Sequence, residues 1–97
     1  MEKQQLEKLI GEPIDTIRQV ALPEEQEVNI NILYNECNGL PPELVIYTNI
    51  ATIMRRILKR GYAPVEVDHE EGGIWSMTWR LPIEEVSNFM RTGIFKR

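Results

Sequence analysis

One cysteine, Cys37, and one histidine, His69, are the whole stock of soft or imidazole ligands in this 97-residue sequence. A lone cysteine excludes an internal disulfide, so the cysteine usage does not point to an oxidising compartment. Neither residue sits in a Cys/His cluster with the spacing of a metal site. Long apolar runs are also missing. The longest, Leu44-Val45-Ile46-Tyr47, falls far short of the roughly 20 residues that a membrane-spanning helix needs. Residues 1–13 have neither the basic start nor the apolar stretch of a secretory leader. Together these absences predict a cytoplasmic protein with no membrane contact, no cofactor and no metal.

The machinery of catalysis is thin as well. Gly72-Gly73 is the one glycine pair, and it lacks the spacing of a phosphate-binding loop. Ser76 and Ser87 have no flanking glycines of the nucleophile-elbow type. Asn35-Glu36-Cys37-Asn38 is an acidic setting, which disfavours the thiolate that a cysteine nucleophile requires. Asp68, His69 and Glu71 offer imidazole and carboxylate ligands, but neighbours along a strand end point to opposite sides. The carboxylate pairs Glu24-Glu25, Glu70-Glu71 and Glu84-Glu85 fall in a linker, a hairpin tip and a helix start. Solubility and the helix dipole account for them there. The chain reads as a non-enzyme.

What remains is ordinary globular composition: 42% hydrophobic and 27% charged residues, which fits one domain over residues 1–97. A chain of this length buries about two-thirds of its unfolded surface and folds without disulfide or metal. The net charge is −4, unevenly spread. Residues 1–47 carry nine acids against three bases, whereas residues 48–97 carry six acids against eight bases. An acidic whole argues against non-specific nucleic-acid binding, and a basic second half leaves a local patch open.

Periodicity gives the elements. Residues 41–60 satisfy a helical wheel, with Leu44, Ile46, Tyr47, Ile50, Ala51, Ile53, Met54, Ile57 and Leu58 on one side. Thr48, Asn49, Thr52, Arg55, Arg56, Lys59 and Arg60 lie opposite, and Val45 alone is misplaced. Pro41 and Pro42 suit a first helical turn, so the wheel is preferred over a strand at 44–48. Residues 2–21 read as a helical segment, one kinked helix or two, interrupted at Gly11-Glu12-Pro13. Residues 28–34 alternate as a half-buried strand, followed by turn residues at 35–39. Residues 63–68 and 74–81 form a hairpin. Matching Val65 and Val67 to Trp75, Met77 and Trp79 on one face demands an odd, three-residue loop, Glu70-Glu71-Gly72. Pro82 opens a last helix at 83–92, with Ile83, Val86, Phe89 and Met90 inward and Gly93 as its stop. The prediction is an α+β fold. It has a three-stranded mixed or antiparallel sheet with 74–81 central, and the helices 41–60 and 83–92 on one face. The tryptophans then share the core face with Ile30, while Asn29, Asn31, Glu66, Ser76, Thr78 and Arg80 line the solvated one.

Function follows from what this architecture leaves over. After Glu43, the helix 41–60 carries bases without a single acid, unlike a solvated helix of mixed sign. Thr52, Arg55, Arg56, Lys59 and Arg60 are therefore the expected contact residues for an acidic protein surface or for nucleic acid, with Lys96 and Arg97 adding to the patch. Ile94 and Phe95 form an apolar tail, expected to dock on the chain's own core or on a second subunit of a homodimer. The leading expectation is a small regulatory or adaptor protein acting through protein–protein contact. A nucleic-acid binder comes second, and a metal-dependent or hydrolytic enzyme built on Asp68, His69 and Cys37 third.

Overall fold

A computed structural model of the chain describes residues 1–35, 39–91 and 93–95. The centre of the turn at 35–39, the roles considered for Cys37, Lys96 and Arg97, and the inward side chain of Met90 lie outside the described residues. The element order is α1 (Lys3–Ile10), β1 (Val28–Asn35), β2 (Leu40–Thr48), α2 (Ala51–Lys59), β3 (Glu66–Glu70), β4 (Gly73–Pro82) and α3 (Val86–Arg91). Single 3₁₀ turns occur at Ile14–Thr16, Pro23–Glu25 and Ile83–Glu85. One antiparallel sheet holds the strands in the order β1-β2-β4-β3. The fold is α+β, as expected, but with four strands where three were predicted. Among the described residues no helix is long and apolar enough to cross a membrane.

The additional strand is the first half of the expected long helix. Leu44, Ile46 and Ile50 satisfy a strand alternation as well as a helical wheel, and Tyr47 and Ala51 only the wheel, so packing decides against the local pattern. As a strand, the segment turns Leu44, Ile46 and Thr48 inward and leaves Val45 and Tyr47 half-buried. It also pairs with both neighbours, Ile46 lying opposite Ile30 on one side and Trp79 on the other. A helix here would have left β1 without a partner. Pro41 and Pro42 have no N–H to give to a ladder. They sit accordingly where the register with β1 shifts, between the pairs Leu33↔Glu43 and Asn35↔Leu40. Pairing with β4 begins only at Glu43↔Pro82.

Thr48 and Asn49, expected on the outer face of a helix, are instead buried where β2 gives way to α2. The Asn49 side chain accepts from the Glu27 N–H (2.8 Å) and donates to the Glu25 carbonyl (2.9 Å). Thr48 Oγ1 donates to the Glu27 carbonyl (3.0 Å) and accepts from the Ile50 N–H (3.1 Å). From the other side, Gln19 donates to the Asn49 carbonyl (3.0 Å) and accepts from the Ala51 N–H (2.8 Å). Two polar side chains can be buried here because the backbone ends around them are what they satisfy.

β4 lies between two strands, as predicted for 74–81. The hairpin to β3 departs from the predicted loop. Two residues, Glu71 and Gly72, connect Glu70 to Gly73, and the register shifts between Asp68 and His69. A two-residue loop would reverse the facing of β3 against β4, but the shift restores it, with Val67 opposite Met77. Trp75 is the residue left without a partner, and it is half-buried rather than core. Ser76, expected on the solvated face, is fully buried and donates to Asp68 Oδ2 at 2.9 Å. Val65, expected in the core, is 59% exposed; it lies just before β3, and its N–H donates to the carbonyl of Thr78, the residue opposite Glu66.

The helical layer is shorter than predicted. α1 ends as expected at Gly11, whose φ of 89° is the left-handed stop that a side chain would strain. The rest of the segment 2–21 is one 3₁₀ turn followed by extended chain. Thr16 Oγ1 bonds Glu12 and the Pro13 carbonyl (both 2.7 Å), a local alternative to helix. Ile14, Ile17 and Ala21 are nonetheless buried. Ile14 and Ile17, with Leu6, Ile10, Ile53, Met54, Ile57 and Leu58, share one core cluster with Ile46, Met77 and Trp79. Each such fully buried aliphatic side chain contributes about 1.5–3 kcal/mol.

Candidate functional site

The basic face of α2 is drawn into the fold. Arg55 donates from Nη1 to the Ile17 carbonyl, and Arg56 donates from Nη1 to the Ile94 carbonyl at 3.1 Å. Both residues are half-buried. Lys59 Nζ lies 2.9 Å from Asp15 Oδ1, an exposed pair. That hydrogen bond and the Lys59 charge hold the Asp15 carboxyl below the usual carboxylate range. Arg60 and Thr52 are exposed. Thus three of the five residues expected to meet a partner fasten the segment 14–17 and the C-terminal segment onto the helix. Bases collect there for a physical reason: the last turns of a helix and the open carbonyls beside them attract donors.

Ile94 and Phe95 dock on the chain's own core. Ile94 is buried, and the Phe95 ring stacks on Phe89 with centroids 6.3 Å apart. Nearby, the Tyr62 hydroxyl donates to Glu85 Oε2 (2.7 Å), and Asn88 donates to the same oxygen (3.2 Å). The bond to Glu85 raises the Tyr62 phenol, and the two donors lower the Glu85 carboxyl. Trp79 Nε1 donates to the Tyr62 carbonyl (3.1 Å), so this cluster ties α3 to β4.

At the β3–β4 tip, Asp68 and His69 are exposed and the register shift separates them. Among the described residues no group of three or more His, Cys, Asp or Glu is placed to hold a metal ion. A surface cleft of about 430 Å³ at Leu40, Pro41, Pro42, Glu43, Pro82 and Glu84 offers two carboxylates and no nucleophile. Glu43 is already paired with Arg80 Nη2 at 2.7 Å.

The core face of the sheet is left partly uncovered at β1. Its residues cross the sheet in rows, Ile30–Ile46–Trp79 and Ile32–Leu44–Leu81. Within each row the inner members are buried, while Ile30 is 42% and Ile32 45% exposed. The helices cover β2 and β4 and stop short of β1. Tyr34, at 65%, extends the same exposed apolar row, while Leu33 is exposed on the other face of the sheet and Leu40 on the neighbouring strand. β1 carries no charge and no proline, although it is an edge. The opposite edge, β3, reads Glu66-Val67-Asp68-His69-Glu70, protected by three carboxylates. Alternation alone had placed Ile30 in the core. The absence of any charge over eight residues was the signal available in the sequence. Comparison with protein-family models, with curated proteins and with solved structures finds no match for this chain.

Proposed function

We propose that this chain is a small cytoplasmic regulatory or adaptor protein that works by protein–protein contact, with the β1 edge as its contact surface. One observation carries the reading: an eight-residue edge strand with exposed Ile30, Ile32, Leu33 and Tyr34 and none of the usual edge protection. Exposed strand edges take added strands through main-chain hydrogen bonds, and alternate side chains give the specificity. Nucleic-acid binding by α2 is the weaker reading. Arg55, Arg56 and Lys59 already hold Ile17, Ile94 and Asp15, and the chain is acidic overall.

The test compares proteins retained by the tagged wild type with those retained by the Ile30→Lys/Ile32→Lys and Arg60→Glu variants. Loss in the first and retention in the second is the expected outcome. Proteins retained equally by all three forms would refute β1 as the contact surface. Binding of DNA or RNA that Arg60→Glu weakens and salt abolishes would instead favour the basic helix.

A further inference from the structure

The register of β1 bears on what its exposed edge accepts. The Asn49 N–H donates to the Glu27 carbonyl at 3.4 Å, one position beyond the pair Val28↔Thr48. In an antiparallel ladder that bond makes Val28↔Thr48 a non-hydrogen-bonded pair, and the two kinds of pair alternate along the strand. Asn29, Asn31 and Leu33 therefore turn their N–H and C=O toward β2. Val28, Ile30, Ile32 and Tyr34 turn theirs outward. The extra residue in the hairpin falls on the β2 side, between Glu43 and Leu40, so β1 runs regularly through Tyr34. The residues with outward backbone groups are thus the apolar ones on the core face.

We infer that β1 pairs with β1 of a second copy of this chain, antiparallel about a two-fold axis at Asn31. The two sheets join into one of eight strands. The inference rests on the protein-contact reading and names its partner. Centred on Asn31, the pairing sets Ile30 against the partner's Ile32 and Val28 against the partner's Tyr34. Both pairs are hydrogen-bonded through outward-facing groups, and both are apolar on the core face. Asn31 meets the partner's Asn31 in a non-hydrogen-bonded pair.

Charge within the strand permits this arrangement. β1 is neutral, so no like charges meet within it. The acids that precede it end at Glu27, and the antiparallel axis puts the two Glu27 residues about 27 Å apart along the strands. That is well beyond the roughly 8–10 Å over which salt screens exposed charges. Self-pairing of β3 would instead bring two rows of carboxylates together. Exposure points the same way: the pairing covers Ile30, Ile32 and Tyr34, which are 42%, 45% and 65% exposed, with apolar side chains of the partner's β1.

The test uses the full chain with Cys37→Ser as background. Sedimentation or light scattering across a concentration series is expected to show twice the 11.3 kDa chain mass. Asn31→Cys should form a covalent dimer under mild oxidation, because residues in a non-hydrogen-bonded pair have Cα atoms about 4.5 Å apart, within disulfide reach. Asn29→Cys should not, because the two copies of residue 29 lie about 13 Å apart along the strands. Ile32→Pro removes only an outward N–H and should give a monomer with unchanged circular dichroism. A wild type that stays monomeric at about 200 µM overturns the inference. So does a dimer that survives Ile32→Pro, or one that cross-links through Asn29→Cys as readily as through Asn31→Cys. A monomeric wild type that still loses its retained proteins on Ile30→Lys/Ile32→Lys overturns self-pairing alone and leaves the contact reading standing.

Discussion

Replacing Asn49 with alanine tests the junction that decides where strand ends and helix begins. Asn49 is 1% exposed. Its side chain holds the Glu27 N–H at 2.8 Å and the Glu25 carbonyl at 2.9 Å. Each such bond contributes about 1 ± 0.5 kcal/mol net, and more where the abandoned partner stays dry. The side chains of Glu25 and Glu27 are at the surface, so water can reach part of the vacated site and the cost stays near the sum of the two bonds. Asn49→Ala should therefore destabilise by about 2 kcal/mol, lowering the melting temperature by roughly 8–16 °C for a domain of this size. Urea or thermal unfolding followed by circular dichroism measures it, with Thr52→Ala on the exposed face of α2 as reference. A loss no greater than that reference would refute the assignment of Asn49 as the structural pivot. Asn49→Asp sharpens the test. It keeps the acceptor for Glu27 but sets a carboxylate oxygen against the Glu25 carbonyl, so its folded pKa rises above the unfolded value. The folded form then binds more protons, and stability should recover as the pH falls toward the carboxylate range near about 4.

Three further outcomes follow from the geometry. Asp15 has a depressed folded pKa, so the contribution of its pair with Lys59 is present above the ordinary carboxylate pKa and is lost as the pH falls through the lower one. An NMR titration should show Asp15 moving back up in Lys59→Ala, with almost no change in melting temperature for so exposed a pair. Trp79 is fully buried and Trp75 half-buried, so acrylamide should quench Trp79→Phe more readily than Trp75→Phe. Trp79→Ala should cost about 3–5 kcal/mol, and equal unfolding midpoints for Trp79→Ala and Trp75→Ala would contradict the placement of the core.

Much of this molecule was legible in its sequence, and the failures share a cause. β1, the second half of the helix at 41–60, the last helix and the stops at Gly11 and Gly93 were readable, because each is set by local periodicity or by a glycine at positive φ. Residues 40–48 were misread because Leu44 and Ile46 serve either period and Tyr47 only the helical one. What separates them is the demand of β1 and β4 for a partner between them, which no local pattern contains. The three-residue hairpin loop expected from parity does not form for a related reason. It requires a ladder without irregularity, and one unpaired residue at Trp75 makes a two-residue loop compatible with a single core face. The basic residues of α2 stand out in the sequence as a group. Their bonding to the carbonyls of Ile17 and Ile94 depends on irregular segments that periodicity does not see. The exposed edge was hidden by the same alternation that identified the strand, since alternation says which face is apolar and not whether anything covers it.

The seam between β2 and β4 also sets the order of assembly. Each hairpin, β1–β2 and β3–β4, closes over a short loop. The seam joins Thr48 to Met77 and Glu43 to Pro82, about thirty to forty residues apart in sequence. Closing that span costs more chain entropy than forming either hairpin, so it is the slow event. Leu44, Ile46, Trp79 and Leu81, which meet across it, belong to the folding nucleus, and truncating them should slow folding. Changes near the β3–β4 tip should mainly speed unfolding. While the seam is open, the neutral β1 is the strand most able to find another chain.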